Sequence, residues 1–113
     1  MTAMRRIILE MGTGNDLHGA DYTKAAQRAV QDALHHSSLA LFKSLNIDPN
    51  TMEIELRLAA QEPEKIDLDA VAATMPYGTV RPIAIRGGLN VPDGPDGAVS
   101  VIVNAGVIVR IPA

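Results

Sequence analysis

The chain has no cysteine and no tryptophan, a single phenylalanine and two tyrosines. Without thiols there are no disulfides, no thiolate metal sites and no cysteine nucleophile, and a reducing compartment is the natural expectation. Aromatic residues make up 3% of the chain, too few for the base-stacking platforms of single-strand nucleic-acid binders. The formal net charge is −3 and no basic run extends beyond Arg5-Arg6, so the electrostatic footprint of a nucleic-acid binder is missing. Long hydrophobic runs are also lacking. Ile7-Ile8-Leu9 stops at Glu10, too short for a signal peptide or a membrane span. A cytoplasmic protein with neither nucleic-acid nor membrane partners is expected.

What remains is an aliphatic globular chain: 113 residues, 47% hydrophobic and 20% charged. That length suits a single domain over residues 1–113 with one core. Residues 5–11 read as a short buried strand ended by glycine. Residues 21–37 carry the clearest helix. Tyr22, Ala25, Ala26, Ala29, Val30, Ala33 and Leu34 share one face, and Asp21 is placed to cap it. A second helical stretch spans 39–45, before the turn signal Asp48-Pro49-Asn50. Residues 52–59 alternate as a half-exposed strand. Residues 67–75 read as a short helix capped by Asp67, and 79–86 as a third strand ending at Gly87-Gly88. Residues 92–97 are a turn-rich connection. Residues 98–111 form either one strand bulged near Asn104-Ala105-Gly106 or a hairpin turning there.

The resulting order is β-α-β-α-β-β. It suggests an α+β two-layer sandwich with a mainly antiparallel four-stranded sheet and both helices on one face. The last strand places Val99, Val101, Val103, Ala105, Val107, Val109 and Ile111 on one side and still carries Ile102 and Ile108 on the other. A sheet apolar on both sides, with helices for only one, implies a homo-oligomer in which a partner covers the second face.

The segment Gly12-Thr13-Gly14-Asn15-Asp16-Leu17-His18-Gly19 concentrates glycine, carboxylate and imidazole between the first strand and the first helix. Free N–H groups there suit an anion, although the spacing is not that of a dinucleotide fingerprint. Asp16 and His18, alternate residues of an extended segment, project to one side. They suit a divalent metal such as zinc or manganese or a general base oriented by a carboxylate. Asp16 and His18 are therefore the catalytic and metal-ligand candidates. Gly12, Gly14, Asn15 and Gly19, with Lys24 and Arg86, are the ligand-binding candidates for a small, anionic molecule. In the competing reading Asp16 caps a structural turn and His18 bonds a carbonyl.

Other polar residues carry weaker signals. His35 and His36 lie at the end of the helix, where a cation complements the helix dipole. Fifteen residues of helical rise, roughly 22 Å, separate His36 from the glycine segment of its own chain. Lys24 sits in the first helical turn, within reach of an anion at the loop. Arg81, Arg86 and Arg110 fall on strands, and Arg86 beside Gly87-Gly88 is suited to clamping a carboxylate or phosphate. Ser100 and Asn104 lie on the less apolar side of the final strand.

Gly12, Gly14, Asp16, His18 and Gly19 match every fixed position of G-x-G-x-D-x-H-G. In this the chain resembles a family of small bacterial proteins, with longer plant relatives, that carry the motif near the N-terminus. The helix that follows and the Pro76-Tyr77-Gly78 and Gly87-Gly88 segments are similar too. The resemblance implies that the five residues act as a unit, and it brings no substrate, cofactor or reaction. A looser likeness is to the Asp-x-His zinc motif of the trimeric methylerythritol cyclodiphosphate synthases. It implies an Asp-x-His pair completed from another element at a subunit interface. The glycine spacing differs and the hairpin that follows in those enzymes is absent.

Two functions follow as expectations. One is a small homo-oligomer with a polar small-molecule or metal site at Gly12–Gly19 that acts on an anionic metabolite. The other is a non-catalytic oligomeric scaffold or metabolite-binding module in which that segment is a structural turn.

Overall fold

The computed structural model describes residues 3–17, 19–35 and 44–113. The expected helical stretch 39–45 falls mostly outside them, as do His18 and His36. The elements are β1 (Met4–Asp16), α1 (Tyr22–His35), β2 (Glu53–Ala60), α2 (Leu68–Ala72), β3 (Thr79–Arg86), β4 (Leu89–Asp93) and β5 (Ala98–Pro112). The fold is α+β, with two helices and a five-stranded mixed sheet.

β5 is the spine of the sheet. Along one edge it pairs antiparallel with β1 for almost its whole length, from Met4 opposite Pro112 to Asp16 opposite Val101. Along the other edge it pairs first with β4 and then with β2, both antiparallel. β3 lies outside β2 and runs parallel to it. A parallel neighbour needs a crossover of a dozen or more residues, and the segment carrying α2 supplies one.

The core lies between the helices and one face of the sheet. α1 buries Tyr22, Ala25, Ala26, Ala29, Val30 and Ala33. They pack on Ile8 of β1, Ile54, Leu56 and Leu58 of β2 and Val101, Val103, Ala105, Val107 and Val109 of β5, with Val71 of α2 joining the same cluster. The alternate residues of the three strands turn away from the helices. No helix among the described residues is long and apolar enough to cross a membrane.

Four expectations are corrected. The first strand does not stop at Met11 but continues through Gly12 and Gly14 to Asp16. The sheet has five strands, not four, because Leu89–Asp93 forms a further strand that reaches into the first two residues of the expected turn-rich connection 92–97. β2 and β3 are parallel, a direction that strand periodicity does not encode. The final strand is continuous through Asn104, Ala105 and Gly106, so the hairpin is excluded, and the register shift lies instead in β1 between Arg6 and Ile8.

Candidate functional site

Asp16 ends β1, and its carboxylate organises the turn into α1. Oδ2 accepts from the backbone N–H of Gly19 at 3.1 Å and of Asp21 at 3.0 Å. Oδ1 lies 3.5 Å from Arg28 Nη1, and the Asp16 side chain is 13% exposed. The Asp21 N–H, the Gly19 N–H and the nearby Lys24 and Arg28 cations hold the carboxyl below its ordinary value against the effect of burial. An ionised carboxylate already accepting two N–H bonds is a weak proton acceptor at neutral pH. Asp21 caps α1 by accepting from Lys24 N–H at 3.0 Å. Ala20 adopts a left-handed φ of 48° at the bend between them.

The two glycines of β1 face the helix. A Cβ on Gly12 would lie 2.3 Å from the Ala29 oxygen and 2.4 Å from Ala33 N. On Gly14 it would lie 2.2 Å from the Ala25 oxygen and 2.3 Å from Ala29 N. Real Cβ atoms do not approach backbone so closely. Glycine and the alanine stripe of α1 together allow the helix to press directly on the strand.

Of the other described candidates, Gly19 and Lys24 lie beside Asp16, whereas Asn15 and Arg86 direct their side chains elsewhere. Asn15 turns its side chain to the far face of the sheet, and its carbonyl accepts from Arg28 Nη1 at 2.7 Å. Gly19 serves Asp16. Lys24 is exposed in the first turn of α1, and His35 is exposed at its end. Arg86 closes β3 beside Ala60, three strand spacings from β1 and so about 14 Å across the sheet. Ser100 Oγ donates to the Leu17 oxygen at 3.0 Å. Among the described residues no three His, Asp or Glu side chains gather as a metal site.

The face of the sheet opposite the helices is the larger feature. Leu9 and Met11 of β1, Ile108 of β5, Ala59 of β2 and Ile85 of β3 line a groove of about 740 Å³ with Thr13, Arg57, Asn104 and Gly106. Met11 is 72% exposed, and Leu9 and Ile85 are each 46% exposed. Leu89 and Val91 of β4 extend the apolar surface. Charge gathers at one end of this face. Glu55 takes Arg57 Nε and, at 3.3 Å, Arg110 Nη1. The two guanidinium groups, Arg57 first, hold its carboxyl below the ordinary value.

Both edges of the sheet are blunted. On β1, the outward N–H of Thr13 is taken by Asp32 Oδ2 at 2.9 Å, and the outward carbonyl of Asn15 by Arg28. On β3, Pro82 supplies no N–H, as suits an edge strand.

Sequence reasoning missed one polar cluster. The buried Tyr22 hydroxyl donates to Glu62 Oε2 at 3.0 Å and accepts from Asn90 Nδ2 at 2.7 Å. It joins α1 to the end of β2 and to β4. The Asn90 Oδ1 atom is buried with no partner among the described residues. The helical spacing marks Tyr22 as a core residue, but no pattern marks Glu62 or Asn90 as its partners, since β4 has no local signal.

A family model described as a conserved hypothetical protein family, Lin0512, matches residues 6–109. The crystal structure of an FtsZ-like protein of unknown function from Nostoc punctiforme is similar along 100% of both chains, with 32% identity and a TM-score of 0.87. No curated protein matches the chain.

Proposed function

The chain belongs to the Lin0512 family of conserved hypothetical proteins, and from that premise we propose that it is a non-catalytic homo-oligomeric module that assembles through the open face of its sheet. The observation that carries this reading is that uncovered apolar face. Met11, Leu9 and Ile85 stand in solvent around a groove, whereas monomeric proteins rarely leave large contiguous apolar patches bare. Size favours it too. The molecule measures 54 × 27 × 19 Å, so its broad face exceeds the ~800 Å² per partner of a stable protein interface. The blunted edges at Thr13, Asn15 and Pro82 disfavour assembly by sheet extension.

The Gly12–Gly19 segment belongs, in this reading, to the fold rather than to chemistry. Gly12 and Gly14 admit α1, and the Asp16 carboxylate is spent on the turn. Light scattering on the purified protein tests the proposal. A mass that is a multiple of 12.0 kDa at micromolar concentration is expected. A single 12.0 kDa species at every concentration overturns it.

A further inference from the structure

Gly106 lies in the middle of a 15-residue strand, where glycine costs about 0.5–1 kcal/mol relative to alanine. Nothing among the described residues demands it. Its φ is not left-handed. The nearest atom an added Cβ would meet among the described residues is Arg57 Cβ, at 3.9 Å. Gly12, Gly14, Gly87 and Gly88, by contrast, would each collide with a neighbour closer than 3 Å. A strand glycine of this kind marks a place where a ligand or another backbone comes close. Directly across from Gly106 in the β1–β5 register stands Met11, the most exposed large hydrophobic side chain described. A projection and a gap therefore sit side by side on one face.

Resting on the reading of this face as the contact between copies, we infer that Met11 of one copy seats over Gly106 of a second copy. A surface that carries both knob and hole is self-complementary, and a two-fold contact fills both holes at once. An unrelated partner would have no need of the pair. Methionine suits the role, because its unbranched, polarizable side chain adapts to an irregular gap. The Asn104 side chain, which makes no hydrogen bond with any described residue, and Thr13 lie in the next row of the same face. They place polar groups beside the apolar contact.

The absence of cysteine allows a direct test. A Met11→Cys chain is mixed with a Gly106→Cys chain, oxidised, and the disulfide-linked products are identified by intact mass. The mixed dimer is expected to exceed, several-fold, that formed when Met11→Cys is mixed with Gln31→Cys on the helical side. Gly106→Leu, which fills the gap, is expected to weaken association at least tenfold while leaving the circular dichroism spectrum unchanged. If the wild type is oligomeric but the mixed dimer is no more abundant than the control, the Met11–Gly106 contact is wrong and the open-face reading stands. If the wild type is monomeric, both fall.

Discussion

Gly14 and Ala29 meet backbone to backbone: a Cβ on Gly14 would stand 2.3 Å from Ala29 N. The Gly-x-Gly of β1 is thus matched to the alanine stripe of α1, and the motif is set by how closely a helix approaches a strand. Gly14→Ala is expected to force α1 off the sheet and cost about 3 kcal/mol, the upper range for overpacking. Gly106→Ala, with open space above it, is expected to change stability by less than about 1 kcal/mol. Denaturant titration of both variants, followed by circular dichroism, measures the contrast. Equal losses would remove the distinction between the two glycines.

Asp16 links stability to acid. Its carboxyl is held below the ordinary value, chiefly by the Asp21 N–H, so folding favours the ionised form. The stability it contributes is present above the unfolded value, about pH 4, and is lost as pH falls through the lower folded value. Glu55, lowered by Arg57 and Arg110, acts in the same direction. Asp16→Ala removes the acceptor for the Gly19 and Asp21 N–H groups and is expected to cost about 1–3 kcal/mol at pH 7. Its melting temperature should also fall less steeply than that of the wild type between pH 5 and pH 3, an interval around the carboxylate value of about 4. Parallel curves for the two proteins would show that Asp16 is not the linked group.

Asp32 and Arg28 guard the edge of β1 by occupying Thr13 N–H and Asn15 C=O. Bare strand edges pair with other chains. The double variant Arg28→Ala, Asp32→Ala is expected to aggregate faster on mild heating, with a rise in thioflavin fluorescence, while its circular dichroism spectrum at room temperature stays that of the wild type. Aggregation indistinguishable from that of the wild type would mean that these two side chains do not protect the edge.

The elements that were legible in the sequence are those whose signal is local. Residues 52–59 alternate and lie within one residue of β2, the alanine stripe from Tyr22 to Ala33 builds α1, and Asp21 and Asp67 cap their helices as expected. The apolar residues on both sides of residues 98–111 pointed to a second exposed face, and Ile108 and Ile102 lie on it. Illegible features depend on distant partners. Gly12 and Gly14 look like a loop until α1 is placed against them. Leu89-Asn90-Val91 is short and is followed by Pro92, so the strand is recognised only by its pairing with Ser100–Ile102. Gly88, at φ 64°, turns the chain past the end of β2, where a Cβ would strike the Ile102 and Ala59 oxygens. The candidate site was legible as a motif, and so was Asp16 as the cap of a turn, since its carboxylate accepts from the Gly19 and Asp21 N–H groups.

Sedimentation equilibrium of Met11→Asp beside the wild type tests assembly through the open face most directly. A carboxylate at this position would have to give up its water inside the contact, where the cation nearest Gly106, Arg57, is already engaged by Glu55; that burial is strongly unfavourable, yet the carboxylate is solvated in the isolated chain. The wild type is expected to sediment as a multiple of 12.0 kDa, Met11→Asp as the single chain with an unchanged circular dichroism spectrum, and Gln31→Asp on the helical side as the wild type does. A wild type that sediments at 12.0 kDa, or a Met11→Asp chain that associates as tightly as the wild type, contradicts assembly through this face.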